Sequence, residues 1–258
     1  MMNIPDLISA FKNRLDKMAE QQLKPVEIAV IDSGIDSTHP DLATRIIEAY
    51  RVEIQDEKPV MIDVPLGENN DIFGHGTAVA SIIARIAPNA NIVDIRVLGK
   101  DNSSTGTALI TGLKHAIKKK SRIINMSLAA SEKISNSLFK LCEQAYYQNQ
   151  VIVASKRNMP LTDYGFPAEF SSCISVDHEE FDSPFKFIYK SDDIIEYTAH
   201  GEKVAVAAAG GGYTTMTGTS FAAPNMSALC TLLLGLYPDL RPFEVKTLLK
   251  SFAIDDHT

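Results

Sequence analysis

The sequence predicts an α/β fold of three layers, a mostly parallel β-sheet with helices on both faces. Two observations carry that expectation. Short, β-branched apolar runs alternate with longer segments whose apolar residues recur at helical spacing. No repeat, low-complexity tract or linker breaks the succession, so residues 1–258 read as a single domain.

In chain order, residues 1–22 come first. Ile4, Leu7, Ile8, Phe11, Leu15 and Met18 recur at helical spacing, which predicts an amphipathic helical segment within that domain. "VEIAVID", Val26 to Asp32, reads as a buried strand followed by a turn at Gly34. "HGTAVASIIARIA" reads as a helix, "NIVDIRVL" as a strand and "GTALITGLKHAIKKK" as a helix. The basic run "KKKSR" falls where that last helix ends, and cations there complement the carbonyl end of the dipole. "RIINMSL" is a strand, "SNSLFKLCEQAYYQ" a helix and "VIVAS" a strand. From Thr162 to Tyr213 the pattern turns irregular, with short strands such as "CISV" and "KVAVA"; two helices, Thr219 to Tyr237 and Arg241 to Phe252, close the chain.

Composition narrows the function. A net charge of −7 argues against a nucleic-acid binder. Cys142, Cys173 and Cys230 are odd in number and widely spaced, without a C-x-x-C pair, so neither a disulfide framework nor a zinc site is expected. The N-terminus lacks a signal-peptide pattern, and no unbroken apolar run approaches the roughly 18 residues of a membrane span. A reducing, cytoplasmic setting without a membrane partner is the expectation.

In open parallel sheets the site lies at the carboxyl ends of the strands. That rule selects Asp32 at the end of "VEIAVID", His75 between two glycines at a helix mouth, and Ser220 in "MTGTSFAAP" at the start of an apolar helix. Each has a plain structural alternative: Asp32 as a turn cap, His75 as a surface loop histidine, Thr219 or Ser220 as a helix cap. Together they supply an orienting acid, a base and a nucleophile, in the order Asp, His, Ser.

"VIDSGID", "GHGTAVAS" and "GTSFAAP" closely resemble the three active-site motifs of the subtilisin-like serine proteases. "THPDL", "IINMSL" and "YGFPAEFSSCISV" match in register, so the resemblance covers about Val26 to Ser251. It implies a serine endopeptidase acting on a peptide or protein substrate, with Asp32, His75 and Ser220 as the triad and no cofactor. By register it places Asn158 of "VIVASKRN" in the oxyanion hole. It makes Ser127, Leu128 and Ala129 the substrate-binding edge, with Gly165 and Phe166 in the specificity-pocket wall. The runner-up functions are a catalytically impaired peptide-binding module and a peptide ligase or cyclase using the same nucleophile.

Four departures from the family pattern stand out. Ala78 replaces the second histidine of His-Gly-Thr-His, which predicts altered packing or substrate contact without loss of chemistry. Ser155-Lys156-Arg157-Asn158 replaces Ala-Ala-Gly-Asn. Arg157 disturbs the loop if that position needs a positive φ, and the two charges either turn to solvent or bias the pocket toward acidic ligands. Ala129-Ala130 stands where Gly-Gly is common, which predicts narrower subsites. The calcium loop after the active-site histidine is missing although Asp41 remains, so no metal is expected there. Only 25 residues precede the first strand, which fits a short, cytosolic-type member without a large folding prodomain. Residues 1–22 then either pack on the body or cover the active site. Narrow specificity, an inhibitory or regulatory partner, or that segment is expected to restrain activity.

Overall fold

The computed structural model describes residues 23–158 and 165–254; the helical segment expected over 1–22 lies outside them. The strands are β1 (Val26–Asp32), β2 (Ile46–Gln55), β3 (Lys58–Val64), β4 (Ala90–Arg96), β5 (Ile123–Met126), β6 (Val151–Ser155), β7 (Ile174–Glu179), β8 (Phe187–Tyr189), β9 (Tyr197–His200), β10 (Val204–Ala207) and β11 (Tyr213–Met216). The helices are α1 (His75–Ile86), α2 (Gly106–Lys119), α3 (Ser135–Tyr147), α4 (Thr219–Leu236) and α5 (Pro242–Phe252).

One nine-stranded sheet runs β3-β2-β4-β1-β5-β6-β7-β9-β8, and β10 pairs with β11 as a separate antiparallel hairpin. Within the large sheet the pairs from β2 through β9 are parallel, while β3 and β8 add antiparallel edges. The chain leaves β1 toward β4 on one side and later toward β5 on the other. That reversal opens a crevice at the carboxyl ends of β1 and β5, where Asp32 and Ser127 lie.

Alternating residues of β1 divide the core. Ile28 and Val30 pack on one face with α1, α4 and α5, whereas Ala29 and Ile31 pack on the other with α2 and α3. The three layers follow from this two-sided burial. Helix α2 is capped by Thr105, whose side chain accepts the Ala108 N–H, and ends with Lys118 and Lys119 in its last turn.

Helix α4 runs through the first core. Among the described residues it is the one helix long and apolar enough to cross a membrane, with mean hydropathy 1.3, yet 89% of it is buried in the fold. Thr219, Ser220, Asn225, Ser227 and Thr231 interrupt the apolar run in the sequence but lower its average little. Cys142, Cys173 and Cys230 are buried free thiols, in line with the sequence.

Candidate active site

Burying a carboxylate at the end of an apolar strand is costly unless partners hold it. Asp32, 1% exposed, has two on Oδ1: the Ser33 N–H at 2.8 Å and His75 Nδ1 at 2.7 Å. His75 is the first residue of α1, preceded by Gly74 at φ 94°. A Cβ on Gly76 would collide with the Gly34 carbonyl oxygen, so only glycine lets the helix start settle against the loop after β1. The imidazole is buried beside the Phe221 ring, with centroids 5.6 Å apart. Burial by itself lowers its pKa. The charge and hydrogen bond of Asp32, joined by the charge of Asp71, outweigh that and leave it above 6.5.

Asp71 is a residue that the sequence reading passed over. Its Oδ1 accepts from the Ser33 hydroxyl at 2.8 Å and the Gly74 N–H at 2.7 Å. Its Oδ2 accepts from the Thr77 N–H at 2.8 Å and the Thr77 hydroxyl at 2.6 Å. Ser33 Oγ accepts in turn from the Gly76 N–H at 2.9 Å. One buried carboxylate therefore satisfies the open N–H groups at the mouth of α1 and ties that mouth to the residue after Asp32. Beneath it Asp94 supports the same loop through Asn69 at 2.7 Å and the Ile35 N–H at 3.1 Å, and burial drives its pKa well above the usual carboxylate range.

Ser220 stands in the first turn of α4. Its hydroxyl donates to the Ser127 carbonyl at 3.2 Å. His75 and Ser220 line the same cleft of about 500 Å³, which extends along Ser127, Leu128 and Ala129 toward Gly106. A second cleft, about 710 Å³, opens on the far side of His75 between Phe73 and Met216. Neither Thr219 nor Ser220 caps α4: Gly218 holds the N-cap position, and the buried Thr219 hydroxyl donates to the Lys156 carbonyl at 2.6 Å. Asn158 sits beside it, its Oδ1 accepting from the Thr219 N–H at 3.3 Å and hydroxyl at 3.1 Å. Asn158, Leu128, Ala129 and Ser220 line one open trough. Asn125, buried between β5 and α4, joins the Ser127 hydroxyl at 3.0 Å and the Ser227 hydroxyl at 2.8 Å, fixing the strand end against the helix.

The structure brings Asp32 and His75 into contact, and Ser220, Leu128 and Ala129 border both the cleft that holds His75 and Ser127 and the trough that holds Asn158. Gly165 lies against Ala129, and Phe166 pairs its backbone with Ala130 while its ring packs 5.1 Å from Phe170. The Phe166 side chain is half-buried and packs against the core. Ile123–Met126 is a buried central strand; only the residues beyond it face the cleft. Arg157 is not among the non-glycine residues with positive φ, so the loop accommodates it without that strain. The charges do not simply turn to solvent: Lys156 pairs with Asp177 at 2.6 Å, and Arg157 Nη2 donates to the Ala130 carbonyl at 2.6 Å. Asp41 accepts the Tyr213 hydroxyl at 2.8 Å. Ala78 is buried at 2% exposure and borders the larger cleft.

The subtilase family profile matches residues 24–257. An intracellular serine protease of Paenibacillus polymyxa is 31% identical over 222 residues, covering 81% of this chain and 66% of that protein. Thermitase of Thermoactinomyces vulgaris is 29% identical over 227 residues, covering 80% of this chain and 74% of that one. A cold-adapted subtilisin-like serine proteinase of known structure superposes with a TM-score of 0.71 at 25% identity, covering 92% of this chain and 89% of its own.

Proposed function

Because this chain belongs to the subtilase family, whose named relatives are serine proteases, we propose that it hydrolyses peptide bonds with Ser220 as nucleophile, His75 as base and Asp32 as orienting acid. The observation that carries the assignment is the 2.7 Å contact of His75 Nδ1 with buried Asp32, beside a cleft that His75 shares with Ser220. That contact fixes the imidazole with Nδ1 protonated and Nε2 able to accept a proton. A turn about χ1 of Ser220 takes the hydroxyl from the Ser127 carbonyl to Nε2 as substrate enters; resting sites are commonly looser than occupied ones.

Ser220 Oγ then attacks the carbonyl carbon while its proton passes to Nε2. The resulting oxyanion lies at the start of α4, facing the Ser220 N–H and the Asn158 amide. Collapse expels the amine with the proton from Nε2 and leaves an acyl-enzyme. Water, deprotonated by the same nitrogen, releases the acid and restores Ser220. The extended substrate lies along Ser127–Ala129 by backbone pairing.

We place the protein in a reducing cytoplasm, which its three free thiols and the intracellular relative support. Its partners are peptide or protein substrates, and a regulatory partner is one means of restraining it. The test is a fluorophosphonate probe on purified protein beside Ser220→Ala, with mass spectrometry of peptide products. Labelling that disappears in Ser220→Ala, with free-acid products, is expected. An unlabelled Ser220 removes the catalytic assignment, and amide products formed with an added amine would make the chain a transferase.

A further inference from the structure

We propose that Arg157 closes the slot beside Ser220 and restricts the residue whose carbonyl is attacked (P1) to small side chains: glycine, alanine or serine. The inference rests on the protease reading above and names its substrate class. A peptide along Ser127–Ala129, with its carbonyl at Ser220 and its oxygen toward Asn158, must place the P1 side chain in the trough between two walls. One wall is Leu128–Ala129 and the other Ser155–Asn158. Arg157 crosses from the second to the first.

Its path is marked by two contacts. A Cβ built on Gly165 would fall 3.1 Å from both Cβ and Nε of Arg157 and 2.8 Å from Cβ of Ala129. Farther along, Nη2 reaches the Ala130 carbonyl at 2.6 Å. The side chain therefore runs from the second wall, past Gly165, to the backbone just beyond the first. Neither wall is free to retreat. Ala130 donates its N–H to the Phe166 carbonyl at 2.8 Å. The neighbouring Lys156 is paired with Asp177. A large P1 group must break the guanidinium bond to the half-buried Ala130 carbonyl to enter, leaving that oxygen with the Phe166 N–H at 3.3 Å. Space, more than charge, sets the preference, because the guanidinium is committed to holding the floor in place.

The test separates binding from chemistry. Peptides differing only at P1 (alanine, phenylalanine or glutamate) are titrated calorimetrically against Ser220→Ala protein. Alanine is expected to bind at least about 10-fold more tightly than phenylalanine, the scale of a pocket misfit. Adding Arg157→Gly, or Arg157→Ala as a second variant, is expected to reverse that order. Equal or tighter binding of phenylalanine by Ser220→Ala overturns the proposal, as does tightest binding of glutamate, which would make Arg157 an acid-recognising group. Failure of every peptide to bind overturns it as well. Cleavage by the unaltered protein tests the protease reading alone. The alanine preference without cleavage would leave the closed slot standing and remove the catalytic assignment.

Discussion

The two halves of the site are built differently. Around His75 the groups are buried and cross-linked: Asp32, Ser33, Asp71, Gly76 and Thr77 exchange hydrogen bonds of 2.6 to 2.9 Å. Around Ser220 burial is mixed: Ser127, Ser155 and Thr219 are buried, Leu128, Lys156 and Arg157 half-buried and Asn158 exposed, and the Ser220 hydroxyl rests on a backbone carbonyl at 3.2 Å. Of the departures, Ser155, Lys156 and Arg157 lie with Ala129 on this second side, whereas Ala78 lies on the first, in the helix that His75 begins. The base half holds charge in a low-dielectric place and needs every partner fixed before substrate arrives. The nucleophile half must admit a peptide, so it keeps polar groups near solvent. Preorganisation is concentrated where charge is buried, and side chains reach solvent where substrate enters.

Removing either half outright has the largest effect and tests whether the halves act as one unit. Ser220→Ala and His75→Ala are each expected to lower kcat by about 10⁶-fold, and Asp32→Asn by about 10⁴-fold, magnitudes known for subtilisin itself. The double variant Ser220→Ala with His75→Ala should lose little beyond either single change. Steady-state kinetics on one peptide checks it, and additive losses would show that the two residues work separately.

A smaller effect isolates the nucleophile side. Asn158→Ala is expected to lower kcat by about 100- to 1,000-fold with KM nearly unchanged, again the subtilisin scale, because the amide meets an oxygen that carries charge only in the transition state. The Asn158 oxygen is already occupied by Thr219 at 3.1 and 3.3 Å, which turns the amide nitrogen toward the trough. A rise in KM with kcat intact would make Asn158 a substrate contact.

The same contrast explains what the sequence made legible. Strands such as "VIVAS", β-branched and buried on both faces, could be placed to the residue. The hairpin of β2 and β3 could not. "IIEAYRVEIQ" mixes charges among its apolar residues, and its two-residue turn is Asp56-Glu57, both at positive φ (48° and 62°), where Asn-Gly is the usual signal. Asp32, His75 and Ser220 stood out because an acid, a base and a hydroxyl occur in three stretches that resemble the family's motifs, in the chain order of that family. Asp71 was not, since a loop aspartate four residues before a histidine reads as solvated until its four donors are seen. Arg157 was visible as a departure from the family, but its direction depends on Gly165 and Ala130, which only the fold brings beside it.

The finest test of the contrast is Asp71→Asn, which keeps shape and removes charge from the base half alone. An amide has one acceptor oxygen and presents N–H groups to the other donors, so about 2 kcal/mol of stability should go. For a chain this size that is a fall of about 5 °C in Tm. A merely structural residue would do no more. Asp71 also faces His75 electrostatically, together with Asp32, and both carboxylates favour the imidazolium. The base works neutral, so activity falls as pH drops through the His75 pKa, and the raised value puts that limb above 6.5 in the unaltered protein. Removing the Asp71 charge lowers the pKa, and the acid limb of kcat/KM should move to lower pH. Ser33→Ala keeps the charge but cuts the link from Asp71 to Gly76, so it should lower kcat and leave the limb in place. A limb that stays put in Asp71→Asn while Tm falls would reduce Asp71 to a helix cap.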